Sequence, residues 1–278
     1  MELVIQNQTK ADAFTGIFQH MKLFTEHITL MCDEDKIYMQ CMDKSNVAIV
    51  ELTLPAEWFD RYENTAGENI RIGFNATFLH RILSSRDKGQ QIQLVYSAAD
   101  TDRIMIHLTS DSDDAAVADS ASVSTKKRAL PSFAKHFELP LIDIEEEGMS
   151  IPPIEYMAEM TMLSSQFSET ITQLKMFGDT ADFNCSEERI ILTSTSQDQG
   201  KMFVEIPIDD LSEFSIEEGA HLELSFSLTY LKNMCAYNKL SESVVLKFSD
   251  SFPLQIVYPL GGENAQLAFH LAPKIHDD

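Results

Sequence analysis

"KLFTEHITLMC", Lys22–Cys32, returns later in the chain as "KMFGDTADFNC", Lys175–Cys185, with its lysine, phenylalanine and cysteine at the same spacing. Laying residues 11–43 over 164–196 without gaps extends the match. Phe14 meets Phe167, Met21 meets Leu174, Cys32 meets Cys185 and Ile37 meets Ile190. A run of matches at one offset is the mark of a duplicated unit. A second pair follows at nearly the same offset, "FNATFLHRIL" (Phe74–Leu83) against "FSLTYLKNMC" (Phe226–Cys235). Each copy then runs into two strand-like stretches, IQLVYS and RIMIHL in the first half and VVLKFS and LQIVYP in the second. The chain reads as two similar domains in tandem.

Each half carries two helical patterns among many short strands. Phe14, Ile17, Phe18, Met21 and Phe24 fall on one helical face, which predicts a first helix from about Lys10 to Phe24 with Thr9 as N-cap. Asn75 caps a second helix whose apolar face is Phe78, Leu79, Ile82 and Leu83. The second-half helices are expected near 164–177 and 227–239. Alternating runs such as Leu222, Leu224, Phe226 and Ile104, Ile106, Leu108 predict half-buried strands. The fold class is therefore α+β, dominated by antiparallel sheet. The expected organisation is an N-terminal domain over 1–140, a connector over 141–155 and a C-terminal domain over 156–278. The Ala/Ser/Asp-rich stretch at about 110–135 reads as a mobile insertion.

The 278 residues carry a formal charge of −23, which taken alone argues against a polyanionic partner. The distribution reverses that. The four helical stretches hold Lys10, Lys22, Arg81, Arg86, Lys88, Lys175, Lys232 and Lys239, against Asp12, Asp87 and Glu169. His80 lies among them. Helices that share one cationic surface inside an acidic exterior would bind phosphates without reading bases. A solvated helix face is the plainer reading of the same lysines. In the insertion, Lys126, Lys127 and Arg128 form a basic cluster that suits either solvent or DNA.

Catalytic chemistry is not visible. G-x-S-x-G, Walker and G-x-G-x-x-G patterns are absent, and the histidines form no H-x-x-x-H pair. Asp111, Asp113 and Asp114 resemble the start of a calcium loop, but Ala115 and Ala116 occupy the next ligand positions. Cys32, Cys41, Cys185 and Cys235 have neither zinc-ligand nor C-x-x-C spacing and read as buried thiols in a reducing compartment. No secretory or membrane-spanning pattern is legible. No cofactor, metal or membrane contact is expected.

Four segments carry a family resemblance: "QCMDKSNVAIVELTL" (Gln40–Leu54), "IPPIEY" (Ile151–Tyr156), "SVVLKFSDSFPLQIVY" (Ser243–Tyr258) and "LAPKI" (Leu271–Ile275). With them the chain resembles the proliferating cell nuclear antigen family of DNA sliding clamps along almost its whole length. The resemblance implies two like domains joined by a long connector, and three subunits closed head to tail into a ring. Helices would line the hole and sheets form the outer wall. It implies sequence-independent binding of duplex DNA, and residence in the nucleus or at a viral replication site. DNA polymerase, ligase, nuclease and clamp loader would bind through short PIP-type motifs. The pocket implied for such motifs comprises Met42, Asn46, Val47 and Ile49; Met149, Ile151 and Pro152; Phe252 and Pro253; and His270, Leu271, Ala272 and Pro273. His270 stands where the family usually has Tyr, and Asn46 where His is common. Glu169 and Thr172 replace frequent arginines. Glu187 replaces the lysine used for ubiquitin-type attachment, so that regulation is not expected to transfer. The alternative function is an acidic protein-binding scaffold that does not encircle DNA.

Overall fold

The computed structural model describes residues 1–64, 69–110, 133–144, 149 and 151–274. The first half runs β1 (Glu2–Ile5), α1 (Gln8–Gln19), β2 (His27–Cys32), β3 (Lys36–Met42), β4 (Ala48–Pro55), β5 (Arg61–Glu63), β6 (Ile70–Asn75), α2 (Ala76–Leu83), β7 (Gln91–Ser97), β8 (Asp100–Thr109) and β9 (Lys135–Pro140). The second runs β10 (Ala158–Leu163), α3 (Ser164–Leu174), β11 (Thr180–Cys185), β12 (Arg189–Ser196), β13 (Gly200–Pro207), β14 (Glu213–Ile216), β15 (Leu222–Ser227), α4 (Leu228–Cys235), β16 (Ser243–Phe248), β17 (Leu254–Pro259) and β18 (Gln266–Leu271).

The duplication is explicit in the strand order. The first half forms β5-β1-β7-β8-β9 and β4-β3-β2-β6; the second forms β14-β10-β16-β17-β18 and β13-β12-β11-β15. Every strand has a counterpart in the same place. The repeat pairs of the sequence fall at equal positions: Phe14 and Phe167 on α1 and α3, Cys32 and Cys185 at the ends of β2 and β11. All four are buried. One join breaks the separation of halves. β18 pairs antiparallel with β4, Phe269 opposite Val50 and Leu271 opposite Ala48, and makes one nine-stranded sheet of both domains.

The sequence placed the core face of the first helix correctly and its ends less so. Phe14, Ile17, Phe18, Met21 and Phe24 are all buried. The helix begins two residues before Lys10, and its cap is Asn7, not Thr9: the Asn7 side chain accepts the Lys10 N–H at 3.1 Å. It ends at Gln19, and a 3-10 turn over Met21–Leu23 carries Met21 and Phe24 into the core. α3 and α4 also stop short of 177 and 239, because their last residues tighten into turns. Asn75 caps α2 as expected, accepting from the N–H groups of Thr77 and Phe78. Phe78, however, is not a core residue. It is 50% exposed, with the Arg81 guanidinium 5.6 Å above its ring. Ala76 takes the inward place with Leu79 and Leu83.

The chain leaving the first domain is seated on β6. Ile142 donates its N–H to the Gly73 carbonyl at 2.8 Å, and Leu141 donates to Asp102. A Cβ at Gly73 would lie 2.2 Å from the Ile142 carbonyl oxygen and 3.1 Å from Ile144. Gly73 is thus required by close approach of the two backbones. Gly73→Ala should cost about 1–3 kcal/mol through overpacking, read as a lowered denaturation midpoint. Unchanged stability would mean that the segment is free to lift from β6.

Candidate functional site

Two surfaces collect the residues singled out in the sequence. The first lies where the end of α1, α2 and the turn after α4 meet. His20 follows α1, Lys22 lies in the 3-10 turn, His80 is on α2 and Lys239 follows α4. The charges surrounding the two histidines show their convergence. His20 is held below the ordinary histidine range first by burial, then by His80, Lys22 and Lys239. His80 is lowered by burial and by Lys22. Cationic groups crowded together disfavour each other's charge, so these four from both domains share one field. Arg81 and Lys232 are exposed on the outer turns of α2 and α4.

Other expected members of the cationic face are engaged elsewhere. Lys10 donates to the Trp58 carbonyl at 2.7 Å and stands 5.5 Å from the centre of its ring. Arg86, its side chain only 8% exposed, is bonded to Asp12, to the Gln8 side chain at 2.6 Å and to the Gln90 carbonyl at 3.0 Å. It ties the start of α1 to the turn after α2. Lys175 pairs with Asp179 and reaches the Thr229 hydroxyl at 3.0 Å. Lys88 is exposed. Lys126, Lys127 and Arg128 lie outside the described residues. His20, absent from the sequence-derived set, belongs to the cluster; its only sequence signal was its place beside Lys22.

The second surface is the opposite, outer face of the nine-stranded sheet, at the join of β4 and β18. The registers set Met42, Ile49, His270 and Gln255 in one row across β3, β4, β18 and β17. Ile49 and Met42 are half-buried. The loop before β4 is built on Asp43, whose carboxylate accepts from the N–H groups of Val47 and Ala48 at 2.7 Å, Ser45 at 2.9 Å and the Tyr230 hydroxyl of α4 at 2.7 Å. Burial pushes the Asp43 carboxyl up, but these hydrogen bonds outweigh it and leave it below the ordinary range. The turn takes Asn46 to φ 56°, a region Asn tolerates better than most side chains. Past β18, Ala272 donates to the Val47 carbonyl at 3.0 Å, so Leu271, Ala272 and Pro273 run beside this loop. Leu271 itself is fully buried.

Glu51 organises the floor. It accepts from the Tyr38 hydroxyl, from Gln40 Nε2 at 3.1 Å and, at 2.7 Å, bonds His270 Nε2. Gln40 in turn clasps the connector: its Nε2 donates to the Met149 carbonyl at 3.0 Å and its Oε1 accepts the Met149 N–H at 2.8 Å. His270 is 4% exposed. It forms part of the buried support of this surface, with its ring on Glu51. Ile151, Pro152 and Pro253 are half-buried or exposed, and Phe252 is 38% exposed. Gln40, Asp43, Glu51 and Tyr230 were missed in the sequence. The D-K-S-N turn signature at Asp43 was there to be read; the others have no local signal.

Among the described residues no group of three or more His, Cys, Asp or Glu could hold a metal ion. All four cysteines are buried, and burial pushes the thiols of Cys32, Cys185 and Cys235 up to about 12.

A family model for the proliferating cell nuclear antigen N-terminal domain matches residues 5–150, and one for its C-terminal domain matches 150–274. The chain is 30% identical to the proliferating cell nuclear antigen of Chaetomium thermophilum over 285 residues, covering 97% of each. It is 26% identical to proliferating cell nuclear antigen 2 of Plasmodium falciparum, over 95% of this chain and 96% of that one. Against the DNA polymerase sliding clamp of Pyrococcus horikoshii the identity is 23%, over 96% of both.

Burial raises the Glu51 carboxyl, but hydrogen bonds from His270 and Tyr38, the His270 charge and the Gln40 amide overcome it, and the net shift is downward. A carboxyl lowered on folding contributes stability above its unfolded pKa and loses it as pH falls through the folded value. Glu51→Gln should therefore lower the Tm at neutral pH and flatten its decline below the ordinary glutamate range. Parallel Tm-versus-pH curves for variant and wild type would show that Glu51 carries no such linkage.

Proposed function

The chain belongs to the proliferating cell nuclear antigen family and is a DNA sliding clamp, a non-catalytic processivity factor for DNA polymerase; from that premise we propose how its two surfaces divide the work. The cationic cluster at the end of α1, on α2 and after α4 faces the phosphates of an encircled duplex. The outer face at the β4–β18 join receives client peptides. Localisation follows the function: we assign it to the nucleus, or to the viral replication site if the chain is viral.

The observation that carries the DNA reading is the convergence of His20, Lys22, His80 and Lys239 from two domains in a chain of net charge −23. An acidic shell repels DNA from the rest of the surface, while a short-range cationic field tracks the backbone without reading sequence. Such contact allows sliding because every phosphate is equivalent.

Ring closure is read from the duplication. Within the chain, the β4 edge of the first domain joins the β18 edge of the second. Their counterparts, β13 and β9, stand at the ends of their own sheets. Pairing β13 of one copy with β9 of the next repeats the internal join, and three copies close the circle. Phe203 on β13, 65% exposed, and Phe133 beside β9, 75% exposed, suit edges meant for a partner.

For the client surface, Met42 and Ile49 supply an adaptable apolar floor beside the clasped connector. A one-turn amphipathic helix is the occupant we assign to it. Polymerase is then held at high effective concentration on its template.

Two experiments test these roles. Replacing Lys22, Arg81, Lys232 and Lys239 by Ala should preserve assembly, weaken retention on circular DNA, and reduce the steepness of its salt dependence. Unchanged affinity and slope would return these residues to a solvated face and favour the protein-binding scaffold. Ile151→Ala and Pro253→Ala should weaken a PIP-type peptide by about 1–3 kcal/mol in titration calorimetry. Equal affinity in both variants and wild type would remove the pocket.

A further inference from the structure

The internal join also sets the residue-by-residue contacts of the seam between copies. Phe137 on β9 occupies the place of Phe269 on β18, and Met202 on β13 the place of Val50 on β4, as the matching strand registers require. Phe269 and Val50 are register partners. Carrying that register to the seam sets Phe137 opposite Met202, Glu138 opposite Lys201 and His136 opposite Phe203. The alternation agrees: Phe137 and Met202 are half-buried, whereas His136, Glu138, Lys201 and Phe203 are exposed on the outer face.

The same transfer applies on the helix side. At the internal join α1 meets the turn after α4 so closely that a Cβ on Gly16 would lie 2.8 Å from Leu240. At the seam, Glu169 of α3 takes the place of Gly16, and Lys88 after α2 takes that of Leu240. Both are exposed within one copy.

We propose that the seam between copies is closed by opposed charges, Glu138 against Lys201 outside and Glu169 against Lys88 inside. The internal join has His270 opposite Ile49 and Gly16 against Leu240 at these places. The inference rests on the ring reading and deepens it: at these two places the covalently continuous join has no opposed charges, and the seam between copies carries them. Glu169 on this account faces the neighbouring subunit, which gives a role to an acid on a helix otherwise expected to meet DNA. Exposed ion pairs are screened by salt, so the seam is the salt-labile part of the ring.

Sedimentation of the full chain over a range of concentrations tests this, at about 50 and about 500 mM NaCl. Glu138→Lys and Lys201→Glu should each raise the dissociation constant of the assembly at low salt by about fivefold or more, on the scale of exposed ion pairs summed over the seams. The double variant should return to within about twofold of wild type. In the monomer Glu138 bonds Arg103 at 2.6 Å, so Glu138→Lys also perturbs its own domain; recovery on adding Lys201→Glu has to come across the seam. Glu169→Lys with Lys88→Glu forms an independent second cycle. An assembling wild type in which the double variants fail to recover would overturn the charge pairing and leave the ring standing. A wild type that stays monomeric at every concentration would overturn both.

Discussion

The pairing of β4 with β18 is the constraint on which the remaining architecture depends. Two domains joined only by a chain segment would be free to reorient. Six register pairs from Gln266 opposite Thr53 to Leu271 opposite Ala48 turn their edges into one continuous sheet. Unpaired strand edges are costly when buried, so this join satisfies backbone groups that neither domain satisfies alone. Its inner side is filled by aromatic packing across the boundary: Phe24 of the first domain lies 5.4 Å from Phe269 and 6.4 Å from Tyr237 of the second. The hydroxyl of Tyr230 on Asp43 and the indole N–H of Trp58 on the Leu260 carbonyl lock the flanks.

Both surfaces proposed for function are consequences of that join. The outer row Met42, Ile49, His270 and Gln255 exists only because strands of two domains are in register. The inner cluster brings His20, Lys22 and His80 to Lys239 because α1 packs on the turn after α4 at Gly16 and Leu240. A glycine in a helix interior costs about 1 kcal/mol relative to alanine. Here it permits the approach of α1 to the turn after α4, which a side chain would hold apart.

The duplication, the α+β class and the four helices among the described residues were legible because repeat and periodicity are local signals. Phe14 and Phe167, or Cys32 and Cys185, announce the same core positions wherever the chain goes. Helix ends were less legible: Asn7 and Thr9 are both good caps, and only the path of β1 into α1 selects the first. Phe78 illustrates the limit of periodicity, since its face was apolar by spacing but lies beside an exposed arginine. The pocket came from resemblance, not from pattern. Of its buried support, only His270 came with it. Gln40 meets Met149 across 109 residues and Glu51 meets His270 across 219, and a polar residue at alternate strand positions looks the same whether it meets solvent or a buried partner. Lys10, Arg86 and Lys175 show the converse, since charge in a helix says nothing about which partner already holds it.

On the proposed reading the acidic exterior and the cationic cluster act together. A surface patch of a few charges contributes little to affinity in salt water when it stands alone. On the proposed reading, repulsion from acidic surroundings on every other approach lets the same few charges fix where a polyanion can stay. Here His20 and His80 are held below their ordinary range by burial and by the cations beside them, so they add little charge near neutral pH. The lysines supply most of the field, and it stays modest. Modest attraction is what motion along a duplex requires. Each phosphate contact must be given up as the next forms, and a stronger field would raise the barrier between equivalent positions. On the ring reading, retention depends on closure around the duplex more than on the strength of any contact, which returns the burden to strand pairing of the kind seen between β4 and β18.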